Sequence, residues 1–80
     1  MKILKFYTPT CMACRMLGKI LEKVDVEVEN VNALEDIEKV DLYNICTTPT
    51  LIFLNEGKEV ARKTGMATAE QIQEIIDMNR

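Results

Sequence analysis

Two cysteines separated by two residues, Cys11-Met12-Ala13-Cys14, are the part of this chain best equipped for chemistry. Cys11 falls where a short apolar segment, Lys2 to Tyr7, gives way to a helical pattern beginning near Met12. A helix N-terminus presents unpaired N–H groups and a partial positive charge, which favour a thiolate. The thiolate is the nucleophile, and a free cysteine titrates near ~8.5, so Cys11 is expected to be the more acidic and exposed thiol. Cys14, one turn further in, should be buried and less acidic. This division suits dithiol–disulfide exchange. Cys11 would attack a substrate disulfide, and Cys14 would then attack Cys11 and release the reduced substrate. The same spacing occurs in zinc sites, but one such pair supplies too few ligands, and the chain contains no histidine. No metal site and no cofactor is expected.

Two further residues could modulate that pair. Cys46 lies three positions before Pro49 and reads as a small apolar filler, with a regulatory or adduct-forming thiol as the alternative. Lys5 falls within the first apolar segment, where an unpaired ammonium would be costly to bury. Glu27 or Glu29 is the expected partner; otherwise the lysine stem packs while its ammonium reaches solvent.

The elements that position these groups follow from periodicity. Lys2–Thr8 reads as a buried strand, ended by Pro9. Thr10 is the expected cap of the helix that follows, and Met16, Leu17, Ile20, Leu21 and Val24 mark its apolar face. Gly18 inside that helix costs roughly 1 kcal/mol against alanine and points to a bend or close packing. Asp25–Val31 alternates as a half-exposed strand would. Asn32 with Glu35 resembles a helix start, and Leu34, Ile37 and Val40 continue a stripe to about Tyr43. Leu51–Leu54 is a buried strand, and Asn55-Glu56-Gly57-Lys58 a hairpin turn into an edge strand over Glu59–Lys63. Thr68 with Gln71 forms a capping box for a last helix that buries Ile72, Ile75 and Ile76. The order is β-α-β-α-β-β-α. The strands joined through a helix should be parallel with a right-handed crossover, and the closing hairpin antiparallel. A four-stranded mixed α/β sheet with helices on both faces follows.

Bulk composition narrows the possibilities. Eighty residues make one small domain, 1–80, and 48 % apolar residues suffice for one core. A formal charge of −3 and a pI near 4.9 argue against nucleic-acid binding. The longest apolar run, Leu51–Leu54, is too short for a bilayer, and Lys5 and Pro9 interrupt any secretory core. A cytoplasmic monomer is expected, and in a reducing compartment these cysteines are catalytic or metal-binding rather than a structural framework.

The chain resembles the thioredoxin family. The match is carried by Phe6, Tyr7, Cys11, Cys14, the stretch Tyr43-Asn44-Ile45-Cys46-Thr47-Thr48-Pro49-Thr50-Leu51, and the tail Asn55-Glu56-Gly57-Lys58 through Lys63-Thr64-Gly65-Met66. The resemblance implies a thioredoxin-like fold and a cis peptide bond before Pro49, whose backbone faces the cysteine pair and binds substrate peptide. Met12, Thr48, Gly65 and Met66 would surround the exposed sulfur. It implies a protein-disulfide reductase, with protein disulfides as substrates and either a thioredoxin-reductase-like enzyme or glutathione as electron donor. There are four departures from the pattern. Thr10 stands where the family has Trp, Met12-Ala13 replaces Gly-Pro, the leading strand and helix have no counterpart, and Lys5 occupies the place of a buried Asp. Lys5 with a glutamate would exchange the signs of that pattern. Glutaredoxins lack this match: their Pro-Tyr dipeptide and Gly-Gly-Asp segment are absent, and Gly65-Met66-Ala67 stands in the latter place. A glutaredoxin-like glutathione-dependent reductase and a non-catalytic binding module are the alternatives.

Overall fold

A computed structural model describes residues 1–80 and contains β1 (Lys2–Tyr7), α1 (Met12–Leu21), β2 (Glu27–Asn32), α2 (Ile37–Leu42), β3 (Thr50–Asn55), β4 (Lys58–Thr64) and α3 (Ala69–Met78). The expected order is thus observed. The strands form one sheet in the order β2-β1-β3-β4. β1 and β2, joined through α1, are parallel; β1 pairs antiparallel with β3, and β3 with β4.

Side chains alternate across a strand, so the sheet sorts its residues into two layers. Ile3 of β1 with Leu51 and Phe53 of β3 packs against Leu17, Leu21, Val24, Ile72 and Ile76. Leu4 and Phe6 pack with Val31 and Ile52 beneath Val40, Tyr43 and Ile45. Helices α1 and α3 therefore cover one face and α2 the other. The ring of Tyr43 meets Phe6 edge-on at a centroid distance of 6.0 Å. Within the hairpin, Glu56 and Gly57 both take positive φ, 54° and 81°, as a tight β3–β4 turn requires. Val60 is an extra residue in β4, because Phe53 faces Ala61 while Leu54 faces Glu59.

Several boundaries differ from the expected ones. The second strand begins at Glu27, two residues later than Asp25. Asn32 does not start a helix. Its side chain accepts from the Leu34 N–H at 3.0 Å and donates to Glu35, closing a local turn. The α2 helix instead begins after Asp36, whose carboxylate accepts the Lys39 N–H at 3.1 Å. The helix is only six residues long, so the stripe does not lie over the sheet for its full length. Leu34 and Ile37 are exposed at 68 % and 55 %, and only Val40 packs inward. On α1, Cys14, Leu17 and Leu21 form the buried stripe, and Met16 lies off it, exposed. The capping box at Thr68 and Gln71 is present as expected.

Candidate active site

Cys11 sits in extended backbone at the end of the loop that leaves β1, and its own sulfur caps α1. The Cys14 N–H donates to Cys11 Sγ at 3.1 Å, taking the role expected of Thr10, whose side chain is exposed. A backbone bond from Cys11 N–H to the Thr8 carbonyl, 3.2 Å, and one from Arg15 N–H to the Cys11 carbonyl hold this cap. Cys11 and Cys14 are joined in a disulfide, with their Cα atoms 5.2 Å apart. The two sulfurs are not equivalent. Cys11 is partly exposed, whereas Cys14 is only 2 % exposed against the sheet.

Sheet registry brings other segments to the same end of the molecule. Phe6 of β1 faces Thr50 of β3, and Thr50 faces Thr64 of β4. The exit of β1 toward Cys11, the entry to β3 after Pro49 and the exit of β4 into Gly65 therefore share one end of the sheet. The Thr48–Pro49 bond is cis, as the resemblance implied, and Pro49 is buried. Gly65 takes a φ of 78° and donates its N–H to the Pro49 carbonyl at 2.9 Å, so the two are directly tied. Thr50 Oγ1 donates to the Thr47 carbonyl at 2.7 Å and fixes the approach to the strand. Around this end, Met12 and Met66 present adaptable apolar surface, 68 % and 42 % exposed, and Thr48 is half-buried.

The two expected modulators are placed differently from expectation. Cys46 is an exposed free thiol, its Sγ 3.7 Å from the Asn44 carbonyl, and not a buried filler. It lies in the loop between α2 and β3, where the strand's apolar run has not yet begun. Lys5 is buried in the central strand, but neither Glu27 nor Glu29 pairs with it. The parallel register sets Lys5 opposite Asn30 and turns both glutamates to the far face, where they pair with Lys2. Burial pushes the Lys5 amine below its usual 10.5.

Three residues near the pair were not singled out in the sequence for this role. A cleft of about 300 Å³ is lined by Lys5, Tyr7, Cys14, Arg15 and Asn30, with Thr8 and Pro9. Arg15 Nη2 donates to the Pro9 carbonyl at 3.3 Å. Its position directly after the cysteine pair was the available signal, obscured because exposed cations on helices are ordinarily solvated. Gly18 was noticed as a packing glycine. A Cβ there would stand 2.8 Å from Lys5 Nζ, so it makes room for the ammonium. Asn30 carried no signal until the register was known.

No helix is long and apolar enough to cross a membrane. Residues 1–78 match the thioredoxin family model. The chain is similar to thioredoxin of Chlamydia pneumoniae, 32 % identical over 80 residues that span 94 % of this chain and 78 % of that one. The structure is similar to Fasciola hepatica thioredoxin, with a TM-score of 0.85 and 26 % identity over 99 % of this chain and 80 % of that one. A thioredoxin variant from Halobacterium salinarum superposes with a TM-score of 0.88 at 22 % identity, over 96 % of this chain and 72 % of that one. With a disulfide-bonded cysteine pair at the head of a helix and that kinship along nearly its whole length, the chain belongs to the thioredoxin family and is a thiol–disulfide oxidoreductase that acts on protein disulfides.

Proposed function

We propose that Cys11 attacks the substrate disulfide and Cys14 resolves the intermediate. The difference in accessibility between the two sulfurs supports this reading, since only Cys11 is open to a bulky substrate. In the first step the Cys11 thiolate attacks one substrate sulfur. A Cys11–substrate S–S bond forms, the substrate S–S bond breaks, and the departing thiolate takes a proton from water. Cys14 then loses its proton, and its thiolate attacks Cys11 Sγ. The Cys11–Cys14 bond forms, and the second substrate thiolate leaves and is protonated. Two electrons pass from the dithiol to the substrate. The N–H groups of the first turn of α1 stabilise the negative charge on the attacking Cys11 thiolate in the first step.

The exposed Met12 and Met66, with Thr48, Pro49 and Gly65, form the docking rim for an extended substrate segment. The tie between Gly65 and Pro49 supports a preorganised rim. A cytoplasmic monomer of one domain, recharged by a thioredoxin-reductase-like enzyme or by glutathione, fits a dithiol that must be regenerated after each turnover.

Alkylation of the reduced protein with iodoacetamide at neutral pH, mapped by mass spectrometry, tests the division of roles. Cys11 should be labelled first, and Cys14→Ser should trap a mixed disulfide with disulfide-bonded insulin while Cys11→Ser traps none. Preferential labelling of Cys14, or trapping by Cys11→Ser, would reverse the assignment. Insulin turnover with each donor in turn identifies which one recharges the protein.

A further inference from the structure

Lys5 is a cation without a counter-ion, its residue largely buried and its ammonium opening onto two clefts, in a protein whose reaction makes and consumes thiolates. It is 9 % exposed in the central strand, and no carboxylate lies within salt-bridge distance of it. Its ammonium occupies the space left by Gly18 and lies 5.8 Å from the centre of the Tyr7 ring. Lys5 and Cys14 line the same small cleft. A second cleft of about 620 Å³ opens from Lys5 between α1 and β2.

We propose that the Lys5 ammonium stabilises the thiolate of Cys14 across their shared cleft and so favours the reduced state of the pair. This rests on Cys14 being the resolving thiol, as proposed above. Lys5 is a positioning residue here: it forms no bond in the reaction but acts through its charge on Cys14. In the resolving step the Cys14 proton passes to water in the cleft, and the ammonium stabilises the sulfur charge left behind until that charge passes to the departing substrate sulfur. No base is needed next to Cys14.

The groups facing Lys5 set the sign. From α1 these are Cys14, Arg15, Lys19 and Glu22; from β1, Tyr7; from β2, the uncharged Asn30; and from β3, the apolar Leu51. Lys63 of β4 lies beyond Leu51 on the same face. The set is predominantly cationic, and in the disulfide form it contains no thiolate to offset burial of the ammonium. Reduction supplies one. By linkage, if Lys5 stabilises the thiolate, the thiolate must hold the Lys5 proton by an equal free energy.

That reciprocity gives a test on the unaltered protein. With Lys selectively labelled with ¹³C and ¹⁵N, the Lys5 amine is titrated by NMR in the disulfide and dithiol forms. Its midpoint should be higher in the dithiol form, by at least about half a pH unit. Equal midpoints overturn the proposal. Lys5→Met retains the stem and removes the charge. It should move the equilibrium with glutathione roughly tenfold toward the disulfide in alkaline solution, where Cys14 is ionised and Lys5 still charged, about 30 mV for a two-electron couple. The difference should vanish in acid, where both thiols are protonated. A shift that persists unchanged in acid indicates a structural effect and also overturns the proposal. Gly18→Ala, which displaces the ammonium without deleting it, should move the equilibrium the same way by less. None of these readouts needs turnover, so they remain separable from the alkylation test of which cysteine attacks first.

Discussion

Glu29 shows how much one side chain can tie together on the face away from the cysteines. Its carboxylate meets Lys2 of β1 at 2.6 Å and Lys39 of α2 at 2.9 Å. The hydrogen bond from Lys2, then that from Lys39, hold its carboxyl at about 2, below the usual 4.5. A depressed folded-state value means that the stabilisation is fully present above about 4.5 and is lost as pH falls toward about 2. The thermal midpoint of wild type should therefore exceed that of Glu29→Gln at neutral pH, and the gap should close across that window. All three side chains are more than a third exposed, so salt should narrow the gap at every pH. Circular dichroism melts at several pH values and two ionic strengths measure both trends.

At the scale of elements, ends matter more than middles. The α3 helix is closed at its start by Thr68, whose hydroxyl accepts the Gln71 N–H at 3.1 Å while the Gln71 side chain accepts the Thr68 N–H at 3.0 Å. At its far end, Asn79 donates to the Ile75 carbonyl and accepts from the Asn55 side chain, so the helix is pinned to β3. Thr68→Ala should cost about 1 kcal/mol in urea unfolding, because it removes the acceptor for the Gln71 N–H. That box was legible in the sequence because both partners are local, and the same holds for the turn at Gly57 and the pairing of β3 with β4. The strand–helix placement of Cys11 and the cis bond before Pro49 were also legible, the latter through kinship. The lack of a partner for Lys5 was not. It depends on the register of β1 against β2, and a slip of one residue would bring Glu29 to its side of the sheet. The extent of α2 was illegible for a related reason. Leu34 and Ile37 have helical spacing, but the Asn32 turn uses the backbone groups an earlier helix start would need.

Across the whole molecule, apolar packing is unequal on the two sides of the sheet. The larger cluster lies under α1 and α3 and contains Phe53 and Ile72, both fully buried. The smaller, under α2, has four fully packed members. Phe53→Ala should cost about 3–5 kcal/mol, comparable to the ~3–5 kcal/mol a core of this size supplies, and should leave much of the chain unfolded at 25 °C. Ile37→Ala, on the exposed side of α2, should change stability by less than about 0.5 kcal/mol. Paired urea melts with a common slope would establish the contrast.

Because the more exposed sulfur of the pair is also the cap of α1, disulfide and helix terminus meet at one atom. A disulfide sulfur accepts the Cys14 N–H weakly, and a thiolate in the same place accepts it far more strongly. The strength of the cap on the first turn of α1 therefore follows the oxidation state of the pair.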